Sequence, residues 1–383
     1  MKECKNIPEI RFKGFEGEWE EKKLGNLGSI AMNKRIYKDQ TSEEGDVPFF
    51  KIGTFGSEPD AFISKSLFDD YKTRFPYPSI GDILISASGS IGRTIEYTGK
   101  DEYFQDSNIV WLQHNGNIEN SFLKYFYSIV EWSGLEGSTI KRLYNKNILN
   151  TKISLPSKKE QSQIGTFFQN LDKQITLEQQ KHDKLVTLKK AMLEKMFPKE
   201  GASVPEIRFE GFENPWIQKE IKELFKITRG EVLAATETSQ VKTGFMTYPV
   251  YSSQTKNNGL MGYYHDYLFE NAITWTTDGA NAGTVKYRKG KFYSTNVNGV
   301  LLSDDGYANQ AIAESINIIA WKHVSYVGNP KLMNNVMSKI KIYISDSLEE
   351  QQLISDYFNT FDTFISLQDR KSTRLNSSHI TIS

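Results

Sequence analysis

Five histidines and one cysteine are the side chains of this 383-residue sequence best suited to metal binding or to nucleophilic and base chemistry. A zinc site requires such residues at close, regular spacing, as in an HExxH helix or in paired cysteines. Cys4 is the only cysteine, and the histidines are far apart, so neither pattern occurs. The sequence therefore predicts no metal site. The histidines are His114, His182, His265, His323 and His379.

Several other short stretches contain part of a catalytic motif. The glycine-rich segments GSIGRT (89–94) and GTVKYRKGK (283–291) lack the GxxxxGK[ST] spacing of a nucleotide-binding P-loop. ENPW (213–216) and GNPK (328–331) contain Asn-Pro but not the Asn-Pro-Pro-Tyr box of amino-methyltransferases. EPDAFISK (58–65) lacks the later residues of a PD…(D/E)xK nuclease cluster. The sequence thus favours no catalytic centre of its own.

Composition limits the class of protein. A chain of this length should form two or more domains, and an apolar fraction of 38% with 13% aromatic residues indicates packed cores. No apolar run approaches the roughly 20 residues of a membrane span, and the first residues lack a signal-peptide core. The single cysteine suits a reducing cytoplasm. With 47 basic and 47 acidic residues, any binding of nucleic acid requires cations focused on one face.

Two blocks of the sequence are repeated, and they indicate the elements that must position any site. PEIRFKGFEGEWE (8–20) returns as PEIRFEGFENPWI (205–217), at an offset of 197; we call these the PEIRF segments. EQSQIGTFFQNLDKQITL (160–177) returns as EQQLISDYFNTFDTFISL (350–367), at an offset of 190. The repeats predict a tandem duplication in which each half comprises a PEIRF segment, a variable module and a helix.

The residues of the PEIRF segments suggest a structural role. Gly14 and Gly211 are expected to form a turn. The apolar residues are expected to anchor each segment against its module: Phe12, Phe15 and Trp19 in the first copy, and Phe209, Phe212 and Trp216 in the second.

The second repeated block predicts a long helix with an apolar seam. Apolar residues recur at alternating spacings of four and three between Ile164 and Met196, with polar breaks at Glu178, His182 and Lys189. A helix over 161–197 would be about 55 Å long. Its seam requires a partner, and we expect the helix that starts at Glu349 to supply it. A single amphipathic helix packed on a globular core is the alternative.

The segments between the repeats, roughly 20–150 and 217–345, are rich in short β-like runs. Examples are GDILISAS (81–88), SNIVWLQ (107–113), NAITWTT (271–277) and NGVLLS (298–303), and each module closes with a helical stretch. The predicted fold class is α+β (mixed). It comprises two β-rich α/β modules in tandem pseudo-repeat, separated by two long antiparallel coiled-coil helices.

The order of these elements resembles that of the specificity subunit of type I restriction-modification enzymes. The resemblance covers residues 8–368 and rests on the two EQxxI helices, the PEIRF segments and LPSKKEQ (155–161). GDILISASGSIGRT (81–94) and GSTIKRLYNKNIL (137–149) are also similar to segments of that family, whereas the second module lacks clean copies of them. The resemblance divides the chain into target recognition domains at 1–155 and 205–345 and spacer helices at 156–204 and 346–368.

The resemblance implies a non-catalytic, DNA-binding subunit of a cytoplasmic restriction system. Each target recognition domain would read one half of a bipartite site in double-stranded DNA, and the spacer would set the gap between the halves. The implied partners are two methyltransferase subunits and restriction subunits, with no membrane. No cofactor is expected in this chain, because S-adenosylmethionine, ATP and Mg would belong to the partner subunits.

Residue type and loop setting nominate the DNA-binding residues. Arginine and lysine suit guanine edges or phosphates, and asparagine suits adenine. A basic hairpin with interleaved aromatic residues is expected at 276–291; an ordinary exposed hairpin, kept soluble by its lysines, is the alternative. The candidates in the first module are Ser88, Ser90, Arg93, Thr94, Lys141, Arg142, Tyr144, Asn145 and Lys146, and those in the second are Thr277, Asn281, Lys286, Tyr287, Arg288 and Lys289.

Two other functions remain as alternatives. One is a coiled-coil adaptor with two protein-binding modules, which would show no salt-dependent DNA binding. The other is a stand-alone DNA nuclease or methyltransferase, against which the missing motifs argue.

The last fifteen residues, DRKSTRLNSSHITIS (369–383), differ from what precedes them. They drop the heptad and match, residue for residue, one reading frame of a common sequencing-library adapter followed by its index. The segment is therefore predicted to be non-native, with two or more turns of the second helix missing. A full first helix beside this stub is expected to fray near Met192–Lys199.

Overall fold

The structure, a computed structural model, describes residues 6–134, 142–253 and 256–382. The chain divides into two compact units, one formed by Met1–Leu177 with Ser372–Ser383 and the other by Glu178–Lys371. Within the described residues, every helix is too short or too polar to span a bilayer. Cys4 and Lys141 lie outside the described residues.

The first unit combines short strands with helices at its edges. Its strands are β1 (Glu20–Lys23), β2 (Ser29–Ala31), β3 (Val47–Phe50), β4 (Phe62–Ile63), β5 (Ile83–Ser86), β6 (Thr94–Glu96), β7 (Tyr103–Phe104), β8 (Ile109–Gln113) and β9 (Lys152–Leu155). Its helices are α1 (Lys65–Arg74), α2 (Asn120–Ile129), α3 (Asn145–Asn150) and the first half of α4 (Lys158–Met196).

The described strands of the first unit form three sheets. The largest is antiparallel, in the order β2-β8-β5-β6, and the smaller ones have the orders β4-β3-β7 and β1-β9. The apolar runs of β5 and β8 are buried on both faces, because α2 packs against one face and Phe55 and Phe104 pack against the other. The predicted strands at 81–88 and 107–113 are therefore confirmed.

The second unit is built on a larger sheet. Its strands are β10 (Ile217–Glu220), β11 (Lys226–Arg229), β12 (Tyr248–Tyr251), β13 (Leu260–Tyr264), β14 (Phe269–Thr276), β15 (Val285–Ser294), β16 (Asn298–Leu302) and β17 (Lys341–Ile344). Its helices are α5 (Ile221–Leu224), α6 (Gln310–Ala320), α7 (Asn334–Met337) and α8 (Leu348–Ile382), together with the second half of α4.

In the described part of the second unit, six strands form one sheet in the order β11-β16-β14-β15-β12-β13. Only β12 and β15 pair in parallel among these strands. Residues alternate between the faces along β14 and β16, so that Ile273, Trp275 and Leu301 meet Ile312 and Ile316 of α6 in the main core. The predicted strands at 271–277 and 298–303 are confirmed, and α6 is the helical stretch expected late in the second module.

A buried arginine–glutamate pair recurs in both units. Arg11 donates from Nε and Nη2 to the two carboxylate oxygens of Glu160, at 2.7 and 2.8 Å. Arg208 makes the same bidentate contact with Glu350, at 2.6 and 2.9 Å. Each arginine belongs to a PEIRF segment, and each glutamate lies in the first turn of a long helix. We call the two pairs the Arg–Glu clamps, and they confirm the duplication in three dimensions.

Smaller contacts repeat around each clamp. Phe12 meets Phe167 edge to face at 5.6 Å, as Phe209 meets Tyr357 at 6.1 Å. Gly14 and Gly211 have φ of 96° and 94°, which is the left-handed turn expected of them. The ribbons β1-β9 and β10-β17 likewise occupy corresponding places. Most of the predicted apolar anchors are therefore confirmed, since Trp19 and Trp216 also pack into cores.

The glutamine beside each clamp fixes the start of its long helix. Gln161 Nε2 donates to the Pro156 carbonyl at 2.9 Å, and Gln351 Nε2 donates to the Ser345 carbonyl at 2.8 Å. Each Oε1 accepts from the residue just before a helix of its module, α2 in the first and α6 in the second. These donors are the Glu119 backbone N–H at 3.0 Å and the Asn309 side-chain amide at 2.9 Å. The EQ pair therefore joins module and helix.

The two long helices pair in antiparallel fashion within the second unit. Glu178 and Lys189 in the α4 seam face oppositely charged residues of α8, and His182 faces Asp369, so the predicted partner of the seam is confirmed. Burial lowers the pKa of Lys189, but the nearby carboxylates of Glu314 and Asp362 outweigh it, and the pKa is raised overall. The pairs are Glu178–Lys371 at 2.8 Å, His182–Asp369 at 3.1 Å and Lys189–Asp362 at 2.8 Å.

The end of α8 differs from the expectation. The sequence predicted that this helix would stop near residue 368, whereas α8 continues to Ile382. Asp369 and Lys371 find charged partners on α4, and Leu375 packs in the apolar cluster of the first unit that holds Phe168. Such tertiary contacts outweigh the modest helix propensity of a Ser-, Thr- and Asn-rich segment.

The expected fraying at Met192–Lys199 is also wrong. Met196 and Phe197 are 3% and 5% exposed and pack against Ile354 and Phe358 of α8. Because the helices are antiparallel, the end of α4 meets the beginning of α8. The segment after residue 368 therefore does not bear on this end of α4.

The clamp of the second unit gives the first prediction. Arg208→Met should lower the free energy of unfolding by about 3–5 kcal/mol, because Glu350 is fully buried and would lose its cation. Urea unfolding of the full chain, followed by tryptophan fluorescence, measures this loss. Arg208→Met combined with Glu350→Leu should recover much of it.

Lys222→Met is the matched control, because it breaks the exposed pair between Lys222 and Glu220 in the same unit and should leave the midpoint unchanged. Equal midpoints for Arg208→Met and Lys222→Met would contradict the structural role of the clamp.

Candidate nucleic-acid interface

In the first unit, the backbone brings three loop segments together. Ala87, just after β5, donates from its N–H to the Asn108 carbonyl at 2.7 Å and accepts at its own carbonyl from the Leu143 N–H at 2.8 Å. The turn at 87–94, the loop at 105–108 and the segment at 142–146 therefore meet beside one end of the four-stranded sheet. The predicted candidates of the first module that the structure describes, which exclude Lys141, lie on the first and third of these segments.

Side chains reinforce this cluster. Ser88 Oγ donates to Asn108 Oδ1 at 2.9 Å, and Arg142 Nη2 donates to the Ser107 carbonyl at 3.2 Å. The Arg142 guanidinium also lies 5.9 Å from the centre of the Tyr144 ring. Ser88 and Arg142 are half-buried and orient the loops, whereas Tyr144 is 57% exposed.

The remaining described candidates of the first module form the solvent face of the cluster. Arg93 is exposed and is steadied by one hydrogen bond, from Nη2 to the Gly56 carbonyl at 3.1 Å. Ser90 is exposed in the turn, and Thr94 is half-buried at the start of β6. Asn145 and Lys146 are exposed at the start of α3. This face offers two cations, an amide and an aromatic ring to a ligand.

In the second unit, the predicted hairpin is present as β14 and β15. Its strands pair antiparallel, with Thr274 opposite Lys286 and Ala272 opposite Arg288. Tyr287 lies on the opposite face of β15 from Lys286 and Arg288 and packs against the main core. Only Lys289 among these candidates on β15 is exposed. The hairpin therefore differs from an exposed basic ribbon.

Arg288 departs furthest from the expectation, since it is only 6% exposed. Its guanidinium carbon lies 3.8 Å from the centre of the Tyr251 ring. Nε donates to Thr274 Oγ1 at 3.2 Å, and Nη1 donates to the Asn258 carbonyl at 2.9 Å. Burial lowers its pKa to about 10. Arg288 is buried because the Tyr251 ring, the Thr274 side chain and the Asn258 backbone all pack against its side chain.

The turn of the hairpin holds the other two candidates. Thr277 is buried and donates from Oγ1 to the Val297 carbonyl at 2.9 Å. Asn281 is half-buried and donates from Nδ2 to the Ser253 carbonyl at 3.2 Å. Asn281, Lys286 and Arg288 line a polar cavity of about 200 Å³. The structure therefore joins three of the candidates in one cavity and leaves Lys289 at the surface.

The sequence did not single out Tyr251, Asn258 or Thr274, although all three hold Arg288. A signal for Thr274 was available. Thr274 and Thr276 alternate with Ile273 and Trp275, so one face of this central strand is polar. Tyr251 and Asn258 lie outside the hairpin, and no local pattern connects them with it.

Among the described residues, no group of three or more His, Cys, Asp and Glu side chains is placed to hold a metal ion. The chemistry available at both surfaces is therefore that of hydrogen-bond donors, cations and aromatic rings.

The comparison with protein families identifies the two halves. The model of the type I restriction modification DNA specificity domain matches residues 16–187 and again residues 213–377. The chain belongs to this family. The tandem duplication and the resemblance to specificity subunits are thereby confirmed, and the two matches correspond to the two copies of the domain.

Curated relatives share part of the chain. A protein of Haemophilus influenzae, named as a type I restriction enzyme specificity subunit, is 52% identical over 157 residues, which is 40% of this chain and 41% of the relative. The type I restriction enzyme MpnII specificity subunit of Mycoplasma pneumoniae is 32% identical over 165 residues, which is 42% of this chain and 46% of the relative. The matched segments thus span less than half of either relative.

A solved structure shares the fold over almost the whole chain. It is the S subunit of a type I restriction-modification system from M. genitalium, with a TM-score of 0.67 and 13% sequence identity. The alignment covers 99% of this chain and 97% of that one. The predicted mixed α+β architecture of this specificity-domain protein is thereby confirmed.

The contact of Arg288 with Thr274 gives the second prediction. Thr274→Val removes the hydroxyl that accepts from the buried guanidinium, and the free energy of unfolding should fall by about 1.5–3 kcal/mol. Urea unfolding measures the difference. The control is Thr228→Val on β11 of the same sheet, since the described residues offer the Thr228 hydroxyl no hydrogen bond. A loss no larger than that of the control would count against the contact.

Proposed function

We propose that this protein is the non-catalytic DNA-specificity subunit of a cytoplasmic type I restriction-modification complex. In this proposal, it recognises a bipartite target in double-stranded DNA and docks methyltransferase and restriction subunits. The observation that carries the proposal is the match of the specificity-domain family to both halves of one chain. The Arg–Glu clamps support it, because they mount each module on a long helix through the same contacts.

The two modules present different surfaces although their supporting PEIRF segments and helices are alike, and this favours a bipartite, asymmetric target. The first unit presents a loop cluster beside a four-stranded sheet, and the second presents a hairpin within a six-stranded sheet. Because side chains on such surfaces determine which bases are read, two dissimilar surfaces would read two different half-sites. The PEIRF segments are nearly identical in both halves, so they would not distinguish the half-sites.

In the first unit, the proposed DNA contacts lie on the solvent face of the loop cluster. Arg93 and Lys146 would bind phosphates or guanine edges, and Asn145 would suit adenine. Tyr144 supplies an exposed ring, while Ser90 and Thr94 add hydroxyls. Ser88 and Arg142 would act by holding the loops in place, because their described contacts are internal.

The cofactors and the division of the chain are part of the same proposal. S-adenosylmethionine, ATP and Mg would be bound by the partner subunits. Target recognition would reside in residues 1–155 and 205–345, and the spacer in residues 156–204 and 346–368. We further propose that residues 369–383 are a translation of adapter DNA. A source gene with a different nucleotide sequence at these codons would contradict that origin.

The function is tested by mapping methylated adenines in the genome of cells that carry the system, with and without this gene. One bipartite motif should lose its methylation when the gene is deleted and regain it on complementation. If no such motif is lost, the proposed function is wrong. A protein-binding adaptor would change no motif, and a stand-alone methyltransferase would restore methylation without the partner subunits.

A leucine shared by the two long helices gives a prediction for the methyltransferase partner. Leu177 and Leu367 occupy the same position of the repeat. Their side chains are 49% and 52% exposed, respectively. We expect Leu367→Asp to weaken binding of the methyltransferase subunit at least about tenfold, since burying a leucine contributes about 1.5–3 kcal/mol. Size-exclusion titration of the purified subunits measures the affinity.

The control for this prediction is Leu353→Asp on the same helix. Leu353 is 39% exposed, but the corresponding residue of the first helix is Gln163, so the repeat does not preserve an apolar side chain there. Equal losses for the two variants would argue for a general effect of charge on α8, against docking through the shared leucine.

A further inference from the structure

The polar cavity of the second unit has a composition that the fold alone does not explain. It measures about 200 Å³ and lies between the hairpin and the described residues 252–253 and 258–259. Hydroxyl, amide and cationic side chains dominate its wall, and none of the described lining residues is acidic. The lining residues are Ser252, Ser253, Asn258, Gly259, Thr274, Thr276, Asn281, Thr284, Lys286, Arg288 and Asn298.

Arg288 is the unusual member of this wall, because it is a buried cation without an anion. Its described partners are the Thr274 hydroxyl, the Asn258 carbonyl and the Tyr251 ring, and all three are neutral. Transferring a charge out of water is costly unless it is paired. An unpaired buried charge lowers the stability of the fold, so the presence of Arg288 points to a use for the charge.

Lys286 adds a second cation to the same wall. Its ammonium has no hydrogen bond or ion pair to any residue that the structure describes. Burial lowers the pKa of Lys286. The carboxylates of Glu314 and Asp362 raise it, and the cations Lys189 and Arg288 lower it further. Glu314 and Asp362 are already bound to Lys189. The cations Arg288, Lys286 and Lys189 therefore outnumber the two carboxylates by one positive charge, which an anion would balance.

We propose that the cavity binds a phosphate group, and that in the DNA complex this group is a backbone phosphodiester beside the half-site read by the second unit. The assignment of this phosphate to DNA rests on the proposed function. A guanidinium presents a planar set of donors that matches phosphate oxygens, and the threonine hydroxyls and asparagine amides add neutral donors. A base would bring no charge to balance the excess, so the charge favours phosphate.

The position of the cavity supports the assignment to DNA. Asn281, in the turn of the hairpin, lines the cavity, and Lys289 is exposed one residue beyond Arg288 on the same strand. A phosphate held in the cavity would fix the hairpin against the DNA backbone. Such contacts set the register of a protein on DNA and carry no sequence information themselves. The cavity would therefore position the second unit, while exposed residues read the bases.

The first arm of the test uses inorganic phosphate and the full chain without DNA. Melting temperature is measured against phosphate concentration, with chloride at matched ionic strength as the reference. The wild type should show a saturable rise, because a ligand that binds the folded state stabilises it. Arg288→Gln should weaken the apparent Kd for phosphate at least about tenfold, since it removes a charge-assisted contact.

Each variant is compared with its own chloride reference, so a lower intrinsic stability does not obscure the result. Lys286→Gln is the second variant if Arg288→Gln does not fold, and it should also weaken phosphate binding. Lys226→Gln is the matched control. It removes one exposed charge from β11, at the far edge of the same sheet, and should bind phosphate as the wild type does. No saturable rise in the wild type would overturn the proposal.

The second arm uses duplex DNA and the chain in complex with its methyltransferase subunit. Arg288→Gln should weaken binding to all duplexes alike and reduce the slope of log affinity against log salt by about one. Lys226→Gln should leave the slope unchanged. An unchanged slope in Arg288→Gln would overturn the assignment to the DNA backbone, and a loss confined to one base pair would overturn phosphate in favour of a base.

The two arms separate failure of this inference from failure of the proposed function. If the wild-type complex binds no DNA, the proposed function fails, and the assignment to a DNA phosphodiester fails with it. The phosphate titration still decides whether the cavity is an anion site, because it requires neither DNA nor a partner subunit.

Discussion

The Arg–Glu clamp is the interaction on which the rest of each unit depends. A buried carboxylate is tolerated only when a cation and hydrogen bonds compensate it, and Glu160 and Glu350 are 1% and 0% exposed. Arg11 and Arg208 each bind both carboxylate oxygens, and each also donates to a carbonyl of its own turn. The clamp thereby fixes the PEIRF turn to the first turn of a long helix.

The clamp also accounts for the distribution of similarity along the chain. Its geometry requires an arginine, a glutamate and a glycine turn at fixed places, so these residues recur with almost no change. Nothing in the clamp restrains the module that it carries, provided that the module begins and ends on the ribbon. One unit therefore contains a four-stranded sheet and the other a six-stranded sheet on the same base. A conserved attachment that leaves the modules free to differ suits the proposed recognition of two different half-sites.

Much of this fold could be predicted from the sequence, because its signals are local and periodic. The repeated blocks indicated the duplication, the 4-3 spacing indicated α4 within three residues at its start, and the β-like runs indicated β5, β8, β14 and β16. The pairing of Arg11 with Glu160 could not be predicted in the same way, because 149 residues separate them. The length of α8 also depended on distant partners, since the residues after 368 carry no apolar seam of their own.

In the candidate site, too, contacts between residues that are distant in the sequence could not be predicted. Residue type nominated the hairpin cations as a group, but their exposure could not be predicted from residue type, since Arg288 is only 6% exposed. The Tyr251 ring packs against the Arg288 guanidinium, although the β12 pairing sets Tyr251 beside Ser294, so that no local pattern predicts the contact. A cation nominated as a surface contact is thus an enclosed one. Enclosure changes the chemistry: an exposed arginine is screened by water and salt, whereas a buried one binds an anion more strongly and selects for groups that can enter. Recognition by the second unit would therefore depend on cavity shape as well as on charge.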